Sequence, residues 1–330
     1  KIIKIEISSE DNIAGVYNIA TDGTLSLASG GSKTITLTTG SGFDIDNTAA
    51  DMSKNASYAV IAPGTHNLRI RYWLRNTTDN PKGSIDGTVT KYVTLTFVPG
   101  SIHDITANLN INDFGGTNYY LWDAKKNFWD GHEWNSAAPW QPTKFLTTSS
   151  QNYPLPGSDS YNRPRTATGR FDATTAHFTA LPNANEMAWY VLKGDPHSDA
   201  DELWSTMGYL YKGGMWFKKK ANIAGFTDSH HPDNASTDLR DTYTRVAKAA
   251  SQQLPVITEM NQYFYLPFLG YYSTGNNNYK FQSAGVTGYY WTSSAVPSNQ
   301  TGSYALTINK GLAALQDASP SNGLIIQPFE

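Results

Sequence analysis

The sequence predicts a mainly β protein with some α, in two parts: a β-sandwich over residues 1–112 and an α+β recognition domain over residues 113–330. Three observations predict it. Residues 1–112 alternate apolar and polar side chains in short runs broken by Gly, Pro and Asp, as strands with one wet face do. Eight of the nine tryptophans follow residue 113, and Trp122, Trp129, Trp134 and Trp140 crowd into one short stretch. The length of 330 residues also suits about two domains of roughly 100–200 residues each.

In the first part, Ile3, Ile5 and Ile7 begin the alternation. Leu25 and Leu27, Ile35 and Leu37, Tyr58 and Val60, then Leu68, Ile70, Tyr72 and Leu74 continue it. Val93, Leu95 and Phe97 follow, and Ile105 with Leu109 closes the series. Asp22-Gly23, Gly30-Gly31, Gly40-Ser41-Gly42, Pro63-Gly64, Asn80-Pro81-Lys82-Gly83, Asp86-Gly87 and Pro99-Gly100 supply the dihedrals that tight turns require.

In the second part, residues 135–182 are rich in Pro, Ser and Thr without a sustained period and read as long ordered loops. Asn183 or Asn185 can cap a helix that buries Met187, Trp189, Tyr190 and Val191 or Leu192 and stops at Gly194 and Pro196. A second helix is predicted from Asp238 to Gln253, with Leu239, Tyr243, Val246, Ala247 and Ala250 at helical spacing. Strands follow at 263–272, 288–295, 303–309 and 323–330. The Gly-Tyr-Tyr units at 270–272 and 288–290 flank an Asn-rich loop and suggest a hairpin with an exposed tip.

Composition excludes several function classes. Cys is absent, so thiol catalysis, Cys-ligated zinc and thiol redox function are ruled out. The net charge of −3 is small and both signs are scattered, so nucleic acid is not an expected partner. The one basic run, Lys218 to Lys220, reads as a strand end or turn. No stretch reaches the roughly 18 apolar residues of a membrane span. Charged residues make up 16% of the chain while Tyr, Asn, Thr and Ser are abundant, a neutral polar surface that suits the cell exterior. The chain opens on Lys1 with no apolar signal region or lipidation site, so the expectation is that a leader was removed or the chain trimmed.

The segments GFDIDN, YAVIAPGTHNLRIRYWL and YVTLTFVPGSIHDITANLNI, in that order, resemble the fimbrillin-like proteins of Bacteroidales over about the first third of the chain. That resemblance implies a transthyretin-like sandwich, a place at the outer membrane or in a fimbrium, and other fimbrial subunits as partners by strand addition. NYYLWDAK, LPNANEMAWYVLKGD and the late series from YLPFLGYY through GYYWTSSA and SYALTIN to NGLIIQPFE are similar to the Fibrobacter-type major paralogous domain. The relation implied is to the C-type-lectin-like fold, with the YYWTSS and final strands at the centre of a sheet. Since the resemblance pairs the final strand within this domain, it cannot be lent to a neighbour, and the expected place is the end of a filament. Calcium-dependent lectins carry Glu-Pro-Asn and Trp-Asn-Asp motifs, both missing here, so no calcium requirement and no cofactor are expected.

The acidic segment GDPHSDADELW offers Asp195, Asp199 and Asp201 as weak metal candidates, but it lacks the Gly and terminal Glu of a calcium loop and reads as a solvated turn before a helical turn at Leu203-Trp204. His230 and His231 sit in a turn-rich segment and read as surface loop. Nothing resembles G-x-S-x-G, a P-loop or H-E-x-x-H, so no enzyme is expected. The candidate ligand-binding residues are Trp129, Trp134, Trp140, Trp216, Tyr271, Tyr272, Asn276 and Asn277, because sugar rings stack on aromatic planes while amides meet their hydroxyls. The expected function is a surface adhesin at a fimbrial tip that binds a glycan or a surface protein. A surface glycan-capture protein for nutrient uptake is the alternative, and a glycan-processing enzyme the third reading.

Overall fold

The computed structural model describes residues 1–45, 51–53, 55–77, 83–144, 149–273 and 279–329. The protein is mainly β. It divides into two compact units. One holds Lys1–Ile111 with Asp201–Leu203 and Pro255–Met260; the other holds Asn112–Ala200, Trp204–Leu254 and Asn261–Glu330. None of the described helices is long and apolar enough to cross a membrane.

The first unit is built from β1 (Ile2–Ser9), β2 (Ala14–Ile19), β3 (Leu25–Ser32), β4 (Thr34–Phe43), β5 (Gly64–Arg75) and β6 (Asp86–Phe97). β6, β5, β1 and β4 lie side by side in antiparallel order, while β2 and β3 form a separate hairpin. Cross-strand register sets one apolar face. Leu37, Ile5, Tyr72 and Val89 form one row across the four strands, and Ile35, Ile7 and Ile70 form the next. Full burial of each such side chain stabilises by roughly 1.5–3 kcal/mol. The opposite face is polar. Lys4 Nζ lies 4.1 Å from the Trp73 ring, and the Glu202 carboxylate accepts from the Thr90 amide at 3.1 Å and from the hydroxyls of Thr88 and Thr90 at 3.0 and 2.6 Å.

Three expectations for this unit are corrected. A register shift between Ile2 and Lys4 places Ile2 with Ile5 and Ile7 in the core and leaves Ile3 half-buried, because a bulge moves one residue off the period-two pattern. Tyr58 and Val60 form no strand; both lie in irregular, exposed backbone. Ile105 and Leu109 likewise sit in irregular backbone. Alternation alone does not supply a pairing partner. The Asn80-Pro81-Lys82 turn lies outside the described residues.

The second unit contains β7 (Asn112–Asp113), β8 (Tyr119–Tyr120), β9 (Ser149–Ser150), α1 (Ala176–Thr179), α2 (Ala184–Lys193), β10 (His197–Thr206, apart from Asp201–Leu203), β11 (Tyr209–Lys218) and β12 (Val246–Ala249). After these come β13 (Tyr263–Pro267), β14 (Tyr271–Ser273), β15 (Tyr279–Gln282), β16 (Thr287–Ala295), β17 (Ser303–Asn309), β18 (Leu312–Ala318) and β19 (Leu324–Ile325). The main sheet runs β12-β18-β17-β16-β19-β8. In it β19 is paired on both sides, with β16 in parallel and with β8 antiparallel. A second group places β13, β11 and β10 side by side, and a small sheet runs β14-β15-β9.

α2 forms where the caps predict it. Asn183 and Glu186 make a reciprocal capping box, and Gly194 ends the helix. Met187, Ala188, Tyr190 and Val191 are buried in the aromatic core with Trp204, Tyr211, Tyr272 and Tyr290. The helix predicted from Asp238 does not form. Backbone bonds from Asp241 and Thr242 to the Asp238 carbonyl close a single turn, and Val246–Ala249 then pairs antiparallel with β18. Pairing to a sheet outweighs a propensity worth only tenths of a kcal/mol per residue, roughly. The turn and helical turn expected at GDPHSDADELW are also corrected, since most of that segment is β10.

Candidate aromatic cleft

The cleft is made by two stretches of irregular backbone that hydrogen bonds join to each other and to the rest of the unit. The carbonyl of Asp159 accepts from the amides of Lys125 and Lys126 at 2.8 and 3.0 Å, tying one wall to the other. Behind it, Arg163 donates to the buried Asp123 carboxylate at 2.7 Å, and the amides of Thr174 and Thr175 add bonds at 3.0 and 2.9 Å. The Phe128 amide donates to Tyr119 in β8, which anchors the wall to the main sheet.

Between these walls lies an open cleft of about 390 Å³. Its aromatic lining is Phe128, Trp129, His132, Trp140 and Tyr153, with Leu155 and Pro154 beside them. Two rings are backed by a second ring. Trp140 stacks on His132 with centroids 3.3 Å apart and planes 7° from parallel, and Tyr153 stacks on Tyr279 at 4.7 Å and 9°. Tyr153 also meets Phe128 and Tyr161 edge-on. Trp140 remains 44% exposed.

The Trp140 loop is closed by its own hydrogen bonds. The amides of Trp140 and Gln141 donate to the His132 carbonyl, and His132 Nδ1 faces the Ala138 carbonyl at 2.9 Å. A carbonyl only accepts, so Nδ1 carries the proton and Nε2 is the open ring nitrogen. Gln141 is buried. Its amide donates to the Gly116 carbonyl at 2.6 Å and the Tyr272 hydroxyl at 3.0 Å, while its oxygen accepts from the Trp134 amide at 3.0 Å.

The charged groups at the rim pair with one another. Lys126 Nζ lies 2.8 Å from Asp130, and Lys125 Nζ 3.2 Å from Asp159. The hydrogen bond to Asp130 raises the Lys126 ammonium above its usual range. Burial pushes the Tyr153 phenol well above its usual value, so that hydroxyl stays neutral.

Of the residues expected to bind a ligand, the cleft brings together Trp129 and Trp140. Trp129 is only 3% exposed and forms floor rather than rim. Trp134 is half-buried and held beside Gly116. Tyr272 is fully enclosed, stacked against Phe128 and edge-on to Trp129, so it supports the cleft from behind. Trp216 faces Tyr265 across β11 and β13, away from the cleft lining. Tyr271 meets Tyr289 at 4.6 Å. The Gly-Tyr-Tyr units are not the arms of one hairpin: Gly270 bridges Gly288 in parallel, and β14 pairs instead with β15. Asn276 and Asn277 lie outside the described residues.

His132, Tyr153, Lys126, Asp130 and Asp159 were not anticipated as site residues. The run Trp129-Asp130-Gly131-His132 between two other tryptophans is the one sequence signal that points at them. Among the weak metal candidates, Asp195 accepts from the Tyr263 hydroxyl at 2.7 Å and lies 3.1 Å from His197 Nε2. Asp199 is buried, and Asp201 belongs to the first unit. Among the described residues there is no group of three or more His, Asp or Glu placed to hold a metal ion. His231 accepts from the Asp233 amide within its own turn.

Comparison with protein-family models, with curated proteins and with solved structures finds no match.

Proposed function

We propose that the protein is a cell-surface adhesin of fimbrillin-like build, carried at the end of a fimbria, with a lectin-like second unit that binds a glycan in the cleft lined by Trp129, Trp140 and Tyr153. The observation that carries this reading is the pair of backed rings. A Trp and a Tyr that line the same cleft, each steadied by a stacked second ring, suit the C–H face of a sugar ring. The cleft volume falls at the small end of the roughly 300–1,000 Å³ usual for ligand sites, which favours one or two sugar rings over a long chain.

A role in assembly is supported by the first unit. Val16, Ile19, Tyr58, Val60, Val98 and Ile102 are all exposed there, and exposed apolar side chains are what an added strand from another subunit would cover. This favours an adhesin over a surface glycan-capture protein, which has no need of such a surface. The paired position of β19 leaves Leu324–Ile325 committed to its own sheet.

The test is a screen of the full chain against immobilised glycans and surface proteins, with Trp140→Ala as control. Saccharide binding that is lost in the variant is the expected result. Binding only to a protein, unchanged by Trp140→Ala, would move the site elsewhere.

A further inference from the structure

We infer that the cleft selects uncharged pyranose sugars and rejects acidic ones, a conclusion that rests on the glycan reading above. The reason is the state of its charges. The lining ammonium already faces a carboxylate, Lys126 meeting Asp130 at 2.8 Å, and the lining Asp159 pairs with Lys125 outside the cleft at 3.2 Å. An acidic saccharide would find no unpaired ammonium or guanidinium among the lining residues, and would bring its charge close to Asp130 and Asp159. Like charges so placed raise the cost of binding, whereas charge complementarity would require a free Lys or Arg.

His132 is engaged on both its ring edge and its ring face. Its Nδ1 donates to the Ala138 carbonyl, and its ring is spent as the backing of Trp140. The paired groups remain useful to a neutral ligand. Carboxylate oxygens accept from sugar hydroxyls and ammonium hydrogens donate to them, without a net charge to satisfy. The serines at 158 and 160 extend that set along the same wall. Selection therefore comes from two terms acting together: stacking on Trp140 and Tyr153, and a rim that is polar but already neutralised.

The experiment is calorimetric titration of the full chain with neutral disaccharides (lactose, cellobiose, mannobiose) and with acidic probes (sialyllactose, a heparin disaccharide). At least one neutral sugar should bind with an affinity that changes less than about twofold between about 0.05 and 0.5 M NaCl, since no net charge is engaged. Trp140→Ala should weaken it roughly tenfold or more, the scale of losing one aromatic anchor. Leu155→Asp, at a lining position 72% exposed and outside the core, should weaken it without affecting the fold. Asp130→Asn frees Lys126 and should let sialyllactose bind. Acidic probes that bind the unaltered protein more tightly than neutral ones, with loss in Trp140→Ala, would overturn the selection while leaving the glycan reading intact. Absence of saccharide binding, or neutral binding indifferent to both cleft variants, would overturn both.

Discussion

His132 and Trp140 stack face to face at 3.3 Å, and the same two residues are joined through their backbones, with the Trp140 amide donating to the His132 carbonyl. Ring contact and backbone closure fix each other. Trp140 stays 44% exposed all the same, which separates it from the buried Trp122 and Trp129.

Trp140 and Trp129 should therefore respond differently to truncation. Trp140→Ala removes a ring that is 44% exposed and should lower stability by no more than about 1 kcal/mol while weakening ligand binding roughly tenfold or more. Trp129→Ala empties a site that is 3% exposed and packed on Phe128 and Tyr272, at a cost of about 3–5 kcal/mol. Urea unfolding of both variants, set beside a binding titration, checks the contrast. Equal stability losses would contradict it.

Gln141 is a positioning residue for the Trp140 loop. Gln141→Leu keeps the volume but leaves the Gly116 carbonyl and the Trp134 amide without their partner, each costing about 1–3 kcal/mol if water does not reach it. The expected outcome is a lower melting temperature together with weaker saccharide binding, and a near-ultraviolet circular dichroism change from the displaced tryptophans. Gln141→Glu, which retains the acceptor for the Trp134 amide, should recover part of the loss.

What could be read from the chain depended on how local the deciding interaction was. α2 was legible because Asn183, Glu186 and Gly194 carry its start and stop within the segment itself. β12 was not, because Leu239, Tyr243 and Val246 keep helical spacing and only β18, some sixty residues away in sequence, decides otherwise. β18 itself hides behind an alanine-rich sequence that reads as neither state. At the site, aromatic density pointed to Trp129 and Trp140. It did not reveal that Tyr272 would be enclosed or that Trp216 would face Tyr265, since burial is set by sheets that assemble from distant segments. Asp159 is joined to the other wall through backbone bonds between separate loops and Tyr153 is held by its stack on Tyr279, relations that no spacing rule expresses.

Gly270 should be intolerant of any side chain. Its φ is +71°, and a Cβ there would lie 2.1 Å from the Gln282 carbonyl oxygen and 2.7 Å from the Ala284 amide nitrogen, both backbone atoms with little freedom to yield. Gly270→Ala should destabilise the second unit by more than about 4 kcal/mol. Gly23→Ala is the matched control: φ is +84° but nothing lies within 4 Å, so only the left-handed strain of about 1–2 kcal/mol remains. Denaturant titration of the two variants should show this order, and its reversal would refute the steric argument.

Asp238 makes stability depend on acid. Burial acts to raise its carboxyl, but the Arg240 guanidinium at 2.5 Å, the Arg240 amide and the Asn185 amide outweigh it and hold the group at about 2, below the ordinary 3.8. A folded-state value below the unfolded one means that the carboxylate contributes stability fully above about pH 4, and that the contribution is lost as pH falls from there toward 2. Asp238 is partly open to solvent, so the effect is screened and modest. The gap in melting temperature between the native protein and Asp238→Asn should be widest near neutral pH and should close between about pH 4 and pH 2. A gap that stays constant across that interval would show that the Arg240 fork adds nothing beyond what a neutral amide at the same place can make.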